Sequence, residues 1–129
     1  MAATPVDVAP LTVSETFALG SRSTDLQREL LEKQLVGQVV DWTLKLYEVE
    51  LENGVYTVSS DALQEEAAEG VPLIRVVASV RARNETEHAY LRTVKTGDTI
   101  HLRGRVTGIV LRTALLLDPA VVIVPAQAP

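Results

Sequence analysis

The chain contains no cysteine, which excludes disulfides and thiolate metal sites and leaves the fold to stand on packing alone. Aromatic residues are nearly as scarce. Phe17, Trp42, Tyr47, Tyr56 and Tyr90 are the only ones in 129 residues, so the apolar content is Val, Leu and Ala and points to a small aliphatic core. No apolar run approaches the ~20 residues that a membrane helix needs. The opening MAATPVDVAPL has neither a basic n-region nor an uninterrupted apolar stretch. The expectation is a soluble, cytoplasmic protein. Because Ala/Pro-rich starts also follow cleaved leaders, a removed signal or lipoprotein leader stays open.

What is present amounts to one domain, long enough for a single core that buries roughly two thirds of the unfolded surface. The net charge of -5 is unevenly placed. Residues 1–72 carry 4 basic and 13 acidic side chains, residues 73–112 carry 8 and 3, and only Asp118 is charged beyond them. An anionic partner for the basic segment is one reading of that asymmetry, and arginine solvating the outer face of strands is the other.

Along the chain, residues 1–22 read as an N-terminal arm with a poorly tied start. Within it, Thr12 or Ser14 caps a short helix through Ala18. Ser23 or Thr24 caps a second helix, in which Leu26, Leu30 and Leu31 form a narrow apolar stripe suited to docking on one end or flank of a β-structure. A long strand opens near Gly37 with Val40, Trp42, Leu44 and Leu46 in phase. The apolar set then passes to Tyr47, Val49 and Leu51, which predicts a bulge at Leu46-Tyr47. Asn53-Gly54 is the strongest hairpin signal in the chain, and Tyr56-Thr57-Val58 returns as the second strand.

The acidic stretch from Ser59 to Pro72 reads as a surface excursion. A third strand follows over Leu73 to Arg83, with Ile74, Val76, Ala78 and Val80 inward. Asn84-Glu85-Thr86-Glu87 resembles a capping box and introduces a short helix to about Val94, with Ala89, Tyr90 and Val94 inward. After the Gly97-Asp98 turn, a fourth strand places Ile100, Leu102, Gly104 and Val106 on one face. A fifth is joined to it around Thr107-Gly108, and residues 125–129 read as a disordered tail.

Helices, a long bent strand, a hairpin, a third strand, a short helix and a final strand pair are the element order of the OB-fold, a five-stranded Greek-key barrel with a helix between strands three and four. The fold class expected is therefore mainly β, with N-terminal helices and an OB-like domain over residues 23–124. Val94, Gly97, Asp98, Ile100, Gly104 and Val106 follow a phrase that resembles the tRNA-anticodon-like OB family, and the opening VGQVVDW is similar to that family too. The resemblance implies the barrel and carries over no functional residue.

Chemistry-bearing residues are thin. His88 and His101 are the only histidines, and Glu85 with His88 at i, i+3 matches one unit of a di-iron carboxylate motif that requires repetition on facing helices. No phosphate-cradling glycine loop or nucleophile elbow is present. No enzyme activity, metal or cofactor is expected. Asn84-Glu85-Thr86 fits the glycosylation pattern but reads more simply as a helix cap.

Two functions of different class remain. One is a binding module that acts through protein contact or homo-oligomer assembly. The runs Leu115–Leu117 and Val121–Val124 are apolar on both faces and call for a cover, so Leu26, Leu30, Val122 and Val124 are the candidate docking surface. The other is single-stranded nucleic-acid binding through Arg75, Arg81, Arg83 and Arg112. For that reading, an exposed aromatic platform is missing from strand three, which offers Val77, while Trp42 and Tyr56 fall in phase with the core.

Overall fold

A computed structural model of the chain describes residues 5–6, 8, 13, 23–61, 74–110 and 114–125. The order is α1 (Asp25–Leu35), β1 (Val39–Glu52), β2 (Val55–Ser60), β3 (Arg75–Val80), α2 (Glu85–Thr93), β4 (Thr99–Val110) and β5 (Ala114–Val122). The strands close into a barrel in the order β1-β2-β3-β5-β4, with β3 and β5 parallel and the other neighbours antiparallel. This is the five-stranded OB-type Greek-key barrel, with α2 between β3 and β4.

Period-2 alternation decides which side chains enter the core. Val40, Trp42, Leu44 and Leu46 of β1, Tyr56 and Val58 of β2, Val76, Ala78 and Val80 of β3, and Ile100, Leu102 and Val106 of β4 are all buried. Each Val, Leu or Ile among them contributes roughly 1.5–3 kcal/mol when fully withdrawn from water. The predicted bulge is present. β1 pairs Leu46 with Ser60 and then Glu48 with Ser59, so Tyr47 is the extra residue. Beyond it Val49 and Leu51 lie opposite Val58 and Tyr56 on the inward face. Leu51, near the tip of the hairpin, is nonetheless 56% exposed, and Tyr47 itself turns out to solvent. The hairpin closes at Asn53 and Gly54, both in the left-handed region that this two-residue turn requires.

The fourth strand differs from expectation. Thr107 and Gly108 do not form the turn; β4 continues through them to Val110, and the β4–β5 connection lies at 111–113, outside the described residues. Register shifts on both sides of Val106 show a doubly irregular pair, with Pro119 lying in the extra length on β5 and Thr107 on β4. Glycine and proline inside a strand mark bulges as readily as turns, because both accommodate backbone that has left the ladder.

The chain's start is better anchored than expected where it is described. Val6 N–H donates to the Val39 carbonyl at 2.8 Å, and the Trp42 indole N–H donates to the Val8 carbonyl at 2.6 Å. Val13 is helical and fully buried with Leu35 in the same core. Thr24 caps α1 through a reciprocal capping box with Gln27. The acidic excursion over 62–73 lies outside the described residues.

Candidate partner-binding surface

β1 is longer than its neighbour on one side. β4 starts at Thr99, opposite Lys45, so among the described residues the half of β1 beyond Leu46 pairs with β2 alone and projects from the barrel as a hairpin arm. The turn before β4 closes the junction. Leu46 exchanges backbone hydrogen bonds with Gly97 and Asp98, and Thr96 Oγ1 donates to the Tyr47 carbonyl. Between the arm and the C-terminal end of α2 lies a groove of about 560 Å3, lined on its floor by Leu46, Val49, Tyr56, Leu91 and Val94. Glu48 stands on one lip, and Arg92 and Lys95 on the other.

α2 is held in place by unusual capping. Asn84 accepts from the Glu87 N–H at 2.9 Å, as an N-cap should, so its side chain is a helix cap. Glu87 does not complete the box on Asn84. It reaches one residue further back, accepting from Arg83 N–H and Arg83 Nε, each at 2.9 Å. Burial would raise the Glu87 pKa, but the side-chain and backbone hydrogen bonds from Arg83 outweigh it and hold the carboxyl below its usual range. The buried face of α2 is Glu87 and Leu91; Ala89, expected inward, is exposed. Helix phase is anchored here by the buried Glu87 carboxylate, one step away from the apolar count.

Arg75 and Arg83 part company. Arg75 on β3 lays its guanidinium 4.8 Å from the centroid of the Tyr47 ring, on the outer face of the barrel. Arg83 is taken by Glu87 and the Val122 carbonyl. Arg81, just past β3, is exposed, and Arg112 lies outside the described residues. Three further arginines of the basic segment are engaged within the chain. Arg92 pairs with Glu85, Arg103 donates twice to Asp41, and Arg105 donates to the Gly37 carbonyl.

Asp41 also holds His101. Desolvation would raise its pKa, but the hydrogen bonds from His101 and Arg103 hold it below the ordinary carboxylate range. This cluster on β1 and β4 neutralises its own charge. His88 meets the Tyr56 hydroxyl at 3.1 Å, and among the described residues no group of His, Asp and Glu is arranged to hold a metal.

The leucine stripe does not cover the final strands. Leu26 and Leu30 are 63% and 55% exposed, while Leu31 and Leu35 make the contact with the core. Val122 points into the barrel and is fully buried. Val124 lines a second hollow, of about 720 Å3, with Ala89, Tyr90 and Thr93. The four residues therefore do not share one surface.

The sequence pattern places Tyr47 with the apolar set of Val49 and Leu51 and not on the outer face where it lies, and it does not single out Leu91. The phase slip was the available signal for the first, since a bulge re-aims the side chain at its apex. Neither models of protein families nor curated proteins give a match to this chain. Among the described residues, no helix is long and apolar enough to cross a membrane.

Proposed function

We propose that the chain is a non-catalytic OB-type binding module that works through contact with another protein, engaged at the hairpin arm and its groove. The observation that carries this reading is the groove itself. Over a buried floor of Leu46, Tyr56 and Leu91 it leaves Val49 and Val94 half-buried and Leu51 exposed, apolar surface that a partner could cover. Supporting it, Arg83, Arg92, Arg103 and Arg105 are already held by groups of the same chain, which weakens the basic segment as a phosphate track.

A second reading keeps one specific observation in its favour. Tyr47 and Arg75 together present an exposed ring and a cation on the outer face of β1 and β3, a pair suited to stacking a base and meeting a phosphate. Photo-crosslinking separates the two. Benzoylphenylalanine in place of Leu51, irradiated in the source cells, is expected to give a discrete protein adduct, and the absence of one would overturn the protein-contact reading. An oligonucleotide that binds the purified chain at ~50 mM salt, with a steep salt dependence and loss in Arg75→Glu, would establish the second reading instead.

A further inference from the structure

Among the described residues, the projecting half of β1 is a strand with one edge unused. Past Tyr47, whose carbonyl is taken by Thr96, no described backbone or side-chain group bonds the edge of Glu48–Glu52 that faces away from β2. β4 would have to be longer to reach it. Five positions at about 3.3 Å each leave roughly 17 Å of ladder open. An exposed edge of this kind templates the addition of another strand, and natural proteins either blunt it or use it.

The two faces of the arm differ sharply in chemistry. Glu48, Glu50 and Glu52 alternate on the outer face and are exposed. Their cross-strand neighbours on β2 are Ser59, Thr57 and Val55, and among the described residues none of the three carboxylates has a cationic partner. Val49 and Leu51 alternate on the inner face and look over the groove floor of Leu91 and Val94.

We propose that this edge receives an extended segment of a partner protein as an added strand, taking the line that β4 leaves empty, with basic and apolar side chains alternating along it. The apolar set enters the groove and the basic set meets Glu48, Glu50 and Glu52. The inference rests on the protein-contact reading and names the chemistry of its partner. A one-residue slip would turn every basic side chain inward toward Arg92 and Lys95, so the groove's far lip enforces the register. A second copy of this chain is the wrong occupant, because pairing β1 with β1 sets carboxylates against carboxylates.

The probe is a fluorescein-labelled synthetic peptide of about nine residues alternating lysine and valine, long enough to span the open ladder, titrated into the full chain and followed by anisotropy. It is expected to bind, and the matching glutamate–valine peptide is not. Exchanging one glutamate for a cation, Glu50→Lys, should weaken the lysine peptide by about tenfold and leave the fold intact, since the side chain is exposed. The decisive pair is the lysine peptide N-methylated at alternate amides in each of its two phases. Successive N–H groups of a strand point to opposite edges, so one phase should abolish binding and the other preserve it. Equal binding of both phases would mean attraction by charge alone and would overturn strand addition, as would binding unchanged in Glu50→Lys. Failure of the peptide alongside a protein adduct at Leu51 would sink this inference and leave the protein-contact reading standing; absence of the adduct would remove both.

Discussion

Arg83 and Glu87 are joined by three contacts: backbone N–H to carboxylate and guanidinium Nε to carboxylate, each at 2.9 Å, and guanidinium Nη2 to carboxylate at 2.7 Å. The pair ties the β3–α2 connection to the first turn of α2, and Arg83 Nη2 also reaches the Val122 carbonyl of β5 at 3.4 Å. Removing the carboxylate leaves the Arg83 backbone N–H without its partner, while the half-exposed guanidinium turns to water. Glu87→Ala should destabilise the chain by about 2 kcal/mol, the order of cost for leaving a partly buried donor unsatisfied. Urea unfolding measures it, and a change within error would show that α2 is held by Leu91 alone.

The same carboxylate, with Asp41, sets the acid side of the stability profile. Both folded pKa values lie below the ordinary ones, so each group contributes stability that is fully present above the unfolded value and is lost as pH falls through the folded value. Stability should therefore fall below about pH 4.5, the ordinary glutamate value. Glu87→Gln and Asp41→Asn should each start lower and lose less across that window. Thermal melts at a series of pH values test this; parallel profiles for wild type and both variants would refute it.

Trp42 is 4% exposed, and its indole N–H holds the Val8 carbonyl from 34 residues away in sequence. Trp42→Ala should cost about 3–5 kcal/mol as a large core truncation. Trp42→Phe keeps most of the packing and loses the hydrogen bond, about 1 kcal/mol. Removing residues 1–8 should shift tryptophan emission to the red as water reaches the ring. An unchanged emission maximum would mean that the start of the chain does not shield it.

Gly104 allows β4 and β5 to approach. A Cβ there would sit 2.8 Å from the Ala120 Cβ, 3.0 Å from the Leu117 Cβ and 3.2 Å from the Pro119 carbonyl oxygen. Gly104→Ala should destabilise by about 1–3 kcal/mol through overpacking. Gly108→Ala meets nothing within 4 Å and serves as the control. Equal melting temperatures for the two variants would show that the strand pair can give way.

Residues close in sequence settled much of this molecule in advance. The alternation of Val40, Trp42, Leu44 and Leu46, the slip at Tyr47, the Asn53-Gly54 hairpin and the caps at Thr24 and Asn84 are each decided by steric and hydrogen-bonding preferences acting over a few residues, so they were legible without coordinates. Thr107-Gly108 was not, because a local turn signal and a bulge signal use the same residues, and only pairing with β5 distinguishes them. The candidate surface belongs almost wholly to the tertiary structure. Asp41 answers Arg103 across 62 positions, Tyr47 meets Arg75 across β2, and Leu26 and Leu30 stay wet while Leu31 and Leu35 turn to the core. Which cation finds a carboxylate, and which strand edge is left without a neighbour, depends on register and relative strand length between distant segments, quantities that no local pattern encodes.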